Sequence, residues 1–509
     1  MLFAMSFSIP FPDGWLQSLP GMTAGSSYVL TRFIFLRFLG VIYLIAFASL
    51  WVQIRGLIGG HGILPIADFL QAVREQLGPE RYRLLPTVFW LNASDTALTV
   101  VCALGVFFSC LLIVGIAPAW SLLFLWILYL SLTTAGRDFL SFQWDILLLE
   151  VGFLAIFFAP WSLLPGLARE TAISPLALFL LLFLLFRFTL ESGVVKLTSG
   201  DSSWRDLTAL TYHYFTQPLP AWTSWYVQQL PLWFHKLSMI VMYSAELVLP
   251  LLMFASRPLR LLSAAGMILF QILIGATGNY TFFNLLTIAL CGLLLDDAFF
   301  SAVLPDRLLT VLHFPVVPHA LPSAFILFIP VAALLFFVGT TQLLATVFPR
   351  MQLPAFTGAL DDFLSPFRSV NAYGLFRVMT KERPEIVIEG SNDGATWLPY
   401  EFPWKPGDPT RRPQFIEPHQ PRLDWQMWFA VLSPSRPPRW FQSFLARLLE
   451  GSPDVLALLE KNPFLDAPPR YVRALLYHYE FTTPEEKSVK EEWWKRELRG
   501  VYHPAVSLE

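Results

Sequence analysis

The residues best suited to chemistry are a lysine and two carboxylates in the segment Glu191–Asp206. Lys196 lies at the end of an apolar stretch, between Glu191 and Asp201. A lysine that is held away from water can have its pKa lowered enough to act as a base near neutrality. If the protein is an enzyme, the segment predicts a catalytic base at Lys196 with Glu191 and Asp201 as its partners. The alternative is a lysine whose ammonium group extends to the lipid headgroups, as is common at helix ends.

Further charged residues lie inside apolar stretches, where they form a predicted intramembrane charged cluster. Ionisable groups at bilayer depth are costly, so each is either functional or part of a neutralising pair. Arg187 and Glu191 are four positions apart and can pair along one helix face. The pattern favours structural pairing for most of them. The members of the cluster are Asp145, Glu150, Arg187 and Glu246.

Signatures of several other functions are missing from the sequence. The net charge is −2 at pH 7 and 14% of the residues are charged, so there is no basic field to bind nucleic acid. We find no Walker loop, no dinucleotide-binding glycine motif, and no zinc-protease or serine-hydrolase motif. The eight histidines lack metal-ligand spacing. The sequence therefore predicts neither a metal nor a cofactor.

The elements that must position the charged residues are membrane-spanning helices. Hydrophobic residues make up 55% of the 509 positions, and the charged fraction is far below the value of about 25% in soluble domains. A spanning helix needs roughly 20 mostly apolar residues, and about nine stretches meet this need. They define a multi-pass transmembrane domain at residues 28–349, after an N-terminal segment at residues 1–27. The stretches are approximately Leu30–Ile54, Ala97–Ile116, Ala119–Ala135, Gln143–Pro160, Pro175–Ser192, Lys236–Ala255, Leu259–Ala276, Tyr280–Phe300 and Pro322–Phe348.

An aromatic-rich loop at residues 193–235 interrupts the membrane region. Amphipathic rings of this kind gather at the headgroup level, which predicts a re-entrant or interfacial segment. Lysine and arginine residues are divided among the loops, so the charge rule does not settle which side of the membrane each loop faces. We expect the loop to supply partner-binding residues. These are Trp204, Arg205, Asp206, Tyr212 and His213.

Beyond Pro349, charged residues and prolines become frequent, and a soluble C-terminal domain is predicted at residues 350–509. Ser391-Asn-Asp-Gly394 lies between two β-type runs, which indicates a hairpin turn. We expect a β-rich α+β domain that is β-sandwich-like with added helices. Its predicted partner-binding residues are Asn392, Asp393 and Trp397.

Other segments of this domain have recognisable patterns. Arg470–Phe481 alternates in the manner of a strand. Arg439–Glu450 indicates a helix that Gly451 ends, and Ser452-Pro453 starts a second helix with a cap and a first-turn proline. The tail from Glu485 to Arg499 is predicted as a charged, tryptophan-bearing helix. The fold class that follows is a polytopic α-helical membrane domain followed by a soluble, β-rich domain.

Short polar and aromatic blocks recur over nearly the whole chain. They are Gln143–Gly152, Glu191–Tyr214, Gln217–Pro220, Gly278–Asn284, Asn371–Phe376, Ile388–Gly394 and Trp425–Trp428. Through these blocks the sequence resembles the lipase maturation factor family. The resemblance implies a multi-pass protein of the endoplasmic reticulum membrane in animals, with a lumenal C-terminal domain, that helps secreted dimeric lipases to fold and assemble. In a bacterial relative the location would be the cytoplasmic membrane.

A shorter segment has a second, more distant likeness. Ser192–Leu197, followed by Trp204, is similar to the region around the catalytic lysine of the vitamin K-dependent gamma-carboxylase. In this sequence a longer stretch, Thr198–Ser203, separates the leucine from the tryptophan. The likeness implies a related membrane domain and a catalytic role for Lys196.

Three functions follow from these observations. The favoured one is a membrane-embedded maturation factor that binds a client protein through its C-terminal domain and aromatic-rich loop, without chemistry of its own. The second is a membrane enzyme that uses Lys196 as a base on a quinone-like or other lipid-soluble substrate. The third is a transporter in which Asp145, Glu150 and Glu246 line a midplane site. A closed pocket formed by Lys196 and its two carboxylate partners would favour the enzyme, and a lipid-facing Lys196 the maturation factor.

Overall fold

The computed structural model describes residues 27–164, 173–305, 307, 325–432 and 437–508. The N-terminal segment expected at residues 1–27 lies outside the described residues except for its last position. The beginning of the ninth predicted helix, before Phe325, also lies outside them.

The chain before residue 350 is helical, and several of its helices are short. In chain order they are α1 (Val29–Trp51), α2 (Ile54–Ile58), α3 (Ile66–Leu77), α4 (Arg81–Leu84), α5 (Asp95–Val114), α6 (Pro118–Gly136), α7 (Gln143–Phe158), α8 (Pro175–Thr198), α9 (Ser202–Arg205), α10 (Leu210–Thr216), α11 (Trp222–Gln228), α12 (Leu232–Tyr243), α13 (Leu249–Leu252), α14 (Arg257–Gly275), α15 (Phe283–Gly292), α16 (Asp297–Val303) and α17 (Phe325–Val347).

Seven spans in the described part of the chain are long and apolar enough to cross a membrane. An eighth results if α15 and α16, which are bent by 102°, count as one. Helix α7 has 16 residues, most of them buried among its neighbours. Each of the nine predicted stretches contains a helix, so the prediction of a polytopic helical membrane domain is confirmed.

Glycine allows α1 and α5 to pack closely. A Cβ atom at Gly105 of α5 would collide with the ring of Phe47 on α1. Small residues at such positions let two membrane helices approach, and the resulting dispersion contacts stabilise the pair. Phe47 is fully buried there, and its ring centroid lies 5.3 Å from that of Tyr129 on α6. The three helices therefore share one apolar core.

The helix that carries Glu246 is irregular. Between α12 and α13 the backbone forms a π-helical turn, Ser244–Val248, and Pro250 follows near the start of α13. Proline lacks the N–H that would close an α-helical bond to the carbonyl four residues earlier, which is that of Glu246. The wider π turn accommodates this loss, and it places the Glu246 carboxylate against α8. Such π turns are frequent at functional sites.

The chain after residue 350 forms a small antiparallel sheet with helices. The helices are α18 (Ala355–Leu364), α19 (Arg422–Val431), α20 (Arg439–Leu449), α21 (Pro453–Leu456) and α22 (Pro484–Lys490), and the strands are β1 (Arg383–Ser391), β2 (Leu398–Pro399), β3 (Tyr471–Phe481) and β4 (Trp494–Val506). The strand order is β2-β1-β3-β4. The predicted hairpin, the strand at 470–481 and the helices at 439–450 and from Ser452 are confirmed.

Helices cover one face of this sheet. Ile386 and Ile388 of β1, and Val472 and Ala474 of β3, are buried, and α19 packs on β1 while α20 packs on β3. These helices occupy the place that a second sheet would take in the expected β-sandwich-like arrangement. Within the described residues the domain has one sheet, and the helices supply the other half of its core.

The tail that was expected to form one helix, Glu485–Arg499, divides between α22 and β4. Thr483 and Glu486 form a reciprocal capping box at the start of α22. The helix ends after Lys490, where Glu491 adopts a left-handed conformation with φ of 57°. From Trp494 onward the chain pairs with β3. This long-range pairing outweighs the local preference of the charged residues for a helix.

Candidate functional site

Lys196 projects from α8 into a buried ion pair. Its Nζ donates to both carboxylate oxygens of Glu246, at 2.7 and 2.8 Å, and to the carbonyl of Ser192 at 2.9 Å. The hydrogens of the ammonium group are therefore all engaged, and the residue is 5% exposed. A general base must first lose one of these protons, which would leave Glu246 charged and unpaired in an apolar setting. The geometry fits a charged, positioned ammonium group better than a base.

A glycine explains how the lysine reaches its partner. A Cβ atom at Gly193 would lie 2.6 Å from a methyl group of Leu247 and 3.0 Å from the Cβ of Glu246. A side chain here would have to displace Leu247 and press on Glu246, so glycine lets α8 lie close against the π turn at this level. Lys196 follows one helical turn later and meets the carboxylate of Glu246.

The two carboxylates expected beside Lys196 have other partners. Glu191 accepts a hydrogen bond from the backbone N–H of Tyr373 at 2.9 Å, and one of its oxygens lies 3.9 Å from the Arg187 guanidinium, as their spacing allows. Asp201 caps α9 by accepting from the backbone N–H of Ser203 at 2.9 Å. The three residues therefore do not converge on one pocket, and Glu246 takes the place expected for Glu191 and Asp201.

Asp201 also holds the segment before β1. It accepts from the backbone N–H of Met379 at 2.7 Å, and the ammonium of Lys381 lies 3.6 Å away. Burial alone would raise the pKa of this carboxyl, but the hydrogen bonds from Met379 and Ser203 outweigh burial and lower it. Asp201 is therefore a charged anchor between α9 and the C-terminal domain.

The intramembrane charges do not form one cluster. Asp145 of α7 pairs with Arg422 of α19, whose two terminal nitrogens each lie 2.9 Å from an oxygen of the carboxylate. Tyr129 donates to the same carboxylate at 2.5 Å. Both members of the ion pair are at most 1% exposed. The pair therefore joins the membrane domain to the C-terminal domain through a fully buried contact.

Glu150 forms the second buried junction between the domains. It pairs with Arg187 of α8 and accepts from the backbone N–H and the side-chain amide of Asn371, both at 2.9 Å. The hydroxyl of Tyr373 donates to the same oxygen at 2.8 Å. A carboxylate with this many donors is well satisfied despite its burial. The segment after α18 thus completes the coordination of two membrane-domain carboxylates, Glu150 and Glu191.

Arg383 of β1 fixes the aromatic-rich loop. Its guanidinium donates to the carbonyls of Phe215, at 2.8 Å, of Gln217, and of Pro218, at 2.9 Å. It also pairs with Glu385 at 2.6 Å and is 1% exposed. A planar guanidinium with five donors suits such a convergence of carbonyl groups. The loop backbone is therefore held by the sheet.

Aromatic side chains of the loop pack on the same sheet. Trp225 is buried, lies 5.7 Å from Trp493 between ring centroids, and donates from Nε1 to the Thr482 hydroxyl at 3.2 Å. The ammonium of Lys487 stands 4.0 Å from the centre of the Trp493 ring. Part of the loop's aromatic surface is therefore covered by the C-terminal domain, and its position at the membrane interface stays a prediction. Trp233 remains 65% exposed.

The partner-binding residues expected in the loop fall into two groups. Trp204 is 2% exposed and lines a cavity together with the partly buried His213. Arg205 and Asp206 are exposed at the end of α9, and Tyr212 is half-buried. Arg205 and Asp206 are therefore the most accessible members of the set.

The residues expected to bind a partner near the first hairpin shape its turn. Asp393 accepts from the backbone N–H groups of Ala395 and Thr396, at 2.8 and 2.7 Å. Asn392 accepts from the backbone N–H of Arg470 at 3.2 Å. The Trp397 ring lies beneath the Arg473 guanidinium at 4.0 Å. Each therefore has a local structural role.

The sequence reasoning missed a polar network at the junction of the two domains. The amide of Asn279 donates to the carbonyls of Leu219 and Gln414, at 3.0 and 2.9 Å, and accepts from the N–H of Ile416 at 2.8 Å. The backbone N–H of the next residue, Tyr280, donates to the Glu417 carboxylate at 2.5 Å. The signal for the network lay in the blocks that carried the family resemblance.

Burial of Glu417 leads to a pH prediction. Burial raises the pKa of its carboxyl to about 7, although the hydrogen bond from Tyr280 opposes this shift. The pKa of a glutamate in the unfolded chain is about 4.3. The protonated Glu417 carboxyl therefore stabilises the folded state fully below about pH 4.3, and this stabilisation is lost as pH rises through 7. Glutamine keeps the acceptor and cannot ionise. We expect the melting temperature of Glu417→Gln to rise relative to that of the wild type between pH 5 and pH 8. The corresponding change in the difference of their free energies of unfolding is about 3 kcal/mol.

The difference in melting temperature between Glu417→Gln and the wild type reports on Glu417 alone, because other groups that titrate are the same in both proteins. Burial, helped by Lys196, lowers the pKa of His213 to about 4, and burial also lowers that of His419, with a further contribution from Arg422. Both histidines add stability as pH rises, but they do so equally in wild type and variant. Glu497→Gln, at an exposed glutamate of β4, serves as the control. A difference in melting temperature that stays constant with pH would contradict the assignment.

A cavity of about 470 Å³ lies beside the Lys196–Glu246 pair. Residues from α8, α10, α12 and α14 line it, and most of them are apolar or aromatic. Its size is in the range of about 300–1,000 Å³ that is typical of small-molecule sites. Within the described ranges no three His, Cys, Asp or Glu side chains are placed to share a metal ion. The cavity is therefore the candidate ligand site of the described structure.

Comparison with known families covers most of the chain. Residues 30–302 match the model of the lipase maturation factor transmembrane domain. Residues 369–504 match that of the lipase maturation factor C-terminal domain. No solved structure matches the chain.

Curated relatives are similar over more than four-fifths of their length. Lipase maturation factor 2 of Xenopus tropicalis is 36% identical, over 94% of this chain and 82% of the relative. Lipase maturation factor 2 of Homo sapiens is also 36% identical, over 94% of this chain and 83% of the relative. Lipase maturation factor 1 of Bos taurus is 33% identical, over 97% of this chain and 92% of the relative.

Proposed function

Since this chain belongs to the lipase maturation factor family, we propose that it is a membrane-embedded maturation factor that helps a secreted lipase to fold and assemble. The observation that carries the proposal is similarity over both domains, at 33–37% identity to curated family members. The chain is an integral, multi-pass membrane protein with a folded domain attached. That architecture suits a protein that retains an unfinished client at the membrane.

The location follows from the same proposal. In a eukaryotic cell the chain would lie in the endoplasmic reticulum membrane, and in a bacterium it would lie in the cytoplasmic membrane. The C-terminal domain would face the lumen or the extracytoplasmic space, because a secreted lipase folds on that side. In this arrangement the client meets the exposed surface of the C-terminal domain.

The enzyme alternative has less support from the geometry. Lys196 does line a cavity, which would suit a lipid-soluble substrate. However, its ammonium hydrogens are engaged by Glu246 and Ser192. The other two predicted catalytic residues, Glu191 and Asp201, accept hydrogen bonds from Tyr373 and Ser203. The transporter alternative needs Asp145, Glu150 and Glu246 to line one site, whereas each has its own ion-pair partner. Binding of a client is the function that the arrangement supports best.

We assign the client-binding surface to β4. It is an edge of the sheet within the described residues and most of its positions are exposed. An edge strand presents unpaired N–H and C=O groups to which an extended segment of another chain can add. Leu498 and Val501 of β4 are 54% and 64% exposed. The strand therefore offers both backbone hydrogen bonds and apolar side chains to an incompletely folded client.

The double variant Leu498→Asp/Val501→Asp tests this surface. Two carboxylates on the edge strand should repel an apolar segment and cost its buried contacts, about 1.5–3 kcal/mol for each side chain. We expect at least a tenfold loss in the amount of an epitope-tagged, secreted dimeric lipase that co-precipitates with the protein from cells. Val489→Asp is the matched control, because Val489 is 82% exposed on α22 of the same domain. Equal capture by the double variant and the control would exclude β4 as the client surface.

A further inference from the structure

We propose that the cavity between α8, α10, α12 and α14 binds an uncharged, single-chain lipid whose head carries hydroxyl or carbonyl oxygen. The proposal does not depend on the identity of the client. It rests on three observations: the apolar walls of the cavity, the buried polar atoms without partners in those walls, and a lining that reaches the lipid-facing side of two spanning helices.

The walls are built for a hydrocarbon chain. Phe188 of α8, Met242 of α12, and Phe270 and Ile274 of α14 contribute apolar surface to the cavity. Apolar walls match a hydrocarbon chain, which makes dispersion contacts with them along its length. The volume of about 470 Å³ is modest for two chains and a large headgroup. A single chain is the matching occupant.

The lining of the cavity reaches surface that faces the bilayer. Leu237 and Val241 of α12 and Leu273 of α14 line it and are between 45% and 50% exposed. Both helices belong to candidate membrane spans. Their outer faces carry further exposed apolar residues, including Ile240 and Leu269. A lipid can therefore reach the cavity sideways from the bilayer without crossing water.

Buried polar atoms in the same walls have no hydrogen-bond partner. These are Nε1 of Trp204, Oε1 of Gln271, and both the oxygen and the nitrogen of the Asn284 amide. Their residues are 2%, 8% and 4% exposed. A buried polar group without a hydrogen-bond partner is costly, so natural structures rarely retain several together. A head that carries both a hydroxyl and a carbonyl group would supply acceptors for the N–H donors and a donor for the amide oxygens.

The charges that face the cavity balance one another. Lys196 and Glu246 form a closed ion pair, and the lowered pKa of His213 keeps that imidazole neutral near pH 7. The other lining polar groups are neutral amides, hydroxyls and indole N–H groups. An anionic head would enter without a free cation, at the cost of an unpaired buried charge. The site therefore selects an uncharged head over a fatty-acid anion.

Photolabelling of the full-length protein in detergent tests the proposal. The probes are a diazirine-bearing monoacylglycerol and the corresponding diazirine fatty acid at pH 7.5. We expect the monoacylglycerol to label peptides of α12 and α14 at least fivefold more than the fatty acid. Excess unlabelled monoacylglycerol should remove that labelling, and an unlabelled long-chain alcohol, whose head also carries a hydroxyl group, should reduce it.

Two variants locate the site. Ser238→Phe places a ring in the lining of the cavity and should lower labelling at least fivefold, whereas Leu269→Phe adds a ring on the lipid-facing side of α14 and should not. Asn284→Leu, which removes two of the unpaired atoms, should weaken competition and provides a second test if Ser238→Phe does not fold. Labelling that persists under competition, or that the fatty acid matches, would overturn the proposal and indicate only an annular lipid.

Discussion

Arg422→Met is expected to lower the free energy of unfolding by about 3–5 kcal/mol, because it leaves the buried Asp145 without its partner. Arg422 donates to both oxygens of Asp145 at 2.9 Å, and Asp145 itself is 0% exposed. The guanidinium also donates to the carbonyl of Phe139 at 2.6 Å, so this buried acceptor loses its donor as well. The folded protein should be nearly absent in fluorescence-detected size-exclusion chromatography, and any remainder should melt far below the wild type.

Two further variants distinguish the effect of the unpaired Asp145 charge from a general effect of replacing arginine by methionine. Arg439→Met removes an exposed arginine at the start of α20 and should leave the melting temperature nearly unchanged. Asp145→Asn/Arg422→Met removes both charges together, so it should recover a large part of the folded yield. If Arg422→Met alone melts like the control, the ion pair does not join the two domains.

Removal of residues 350–509 is expected to have a still larger effect. The truncated chain loses Arg422, the ion-pair partner of the buried Asp145. It also loses the hydrogen-bond donors that Asn371 and Tyr373 supply to Glu150 and Glu191, although both carboxylates keep Arg187. Each uncompensated buried charge is strongly destabilising, and the aromatic-rich loop also loses Arg383 and its covering sheet. We expect no monodisperse membrane domain after purification.

Co-expression of the two parts as separate polypeptides provides the matched control. Residues 1–349 and 350–509 together retain every partner, so the pair should co-purify and recover at least half of the wild-type yield. A stable, monodisperse product from residues 1–349 alone would show that the C-terminal domain is an independent attachment. Truncation is consequently a poor test of client binding, because folding and capture would be lost together, and point variants on β4 are preferable.

The positions of the membrane helices were predictable because each is a local property of the sequence. An apolar run of sufficient length needs no knowledge of its neighbours, since the helix satisfies its own backbone. The same holds for the hairpin at Ser391–Gly394, whose turn residues prescribe the conformation locally. The partners of the charged residues were not local. Arg422 lies far along the chain from Asp145, and nothing in the composition of either segment identifies the other.

The packing of the aromatic-rich loop and the formation of β4 depend on contacts between residues that are distant in the sequence. Tryptophan and tyrosine are typical both of membrane interfaces and of buried protein interfaces, so the loop gave no sign that Trp225 would pack on Trp493. The chain after Trp494 is rich in lysine, arginine and glutamate, which suits a helix until β3 offers a pairing edge. Likewise, nothing in the sequence indicated that Lys196 would pair with Glu246, which reaches it from the π turn, and not with Glu191 or Asp201.

The most direct test of the maturation role is the specific activity of a secreted dimeric lipase from cells that lack their own maturation factor. Expression of the wild-type chain should restore active, dimeric lipase to the medium, and so should Val489→Asp. Leu498→Asp/Val501→Asp should accumulate in the membrane at a normal level yet restore less than a tenth of that activity. If the folded, correctly located wild-type chain leaves the secreted lipase inactive, the proposed function is contradicted.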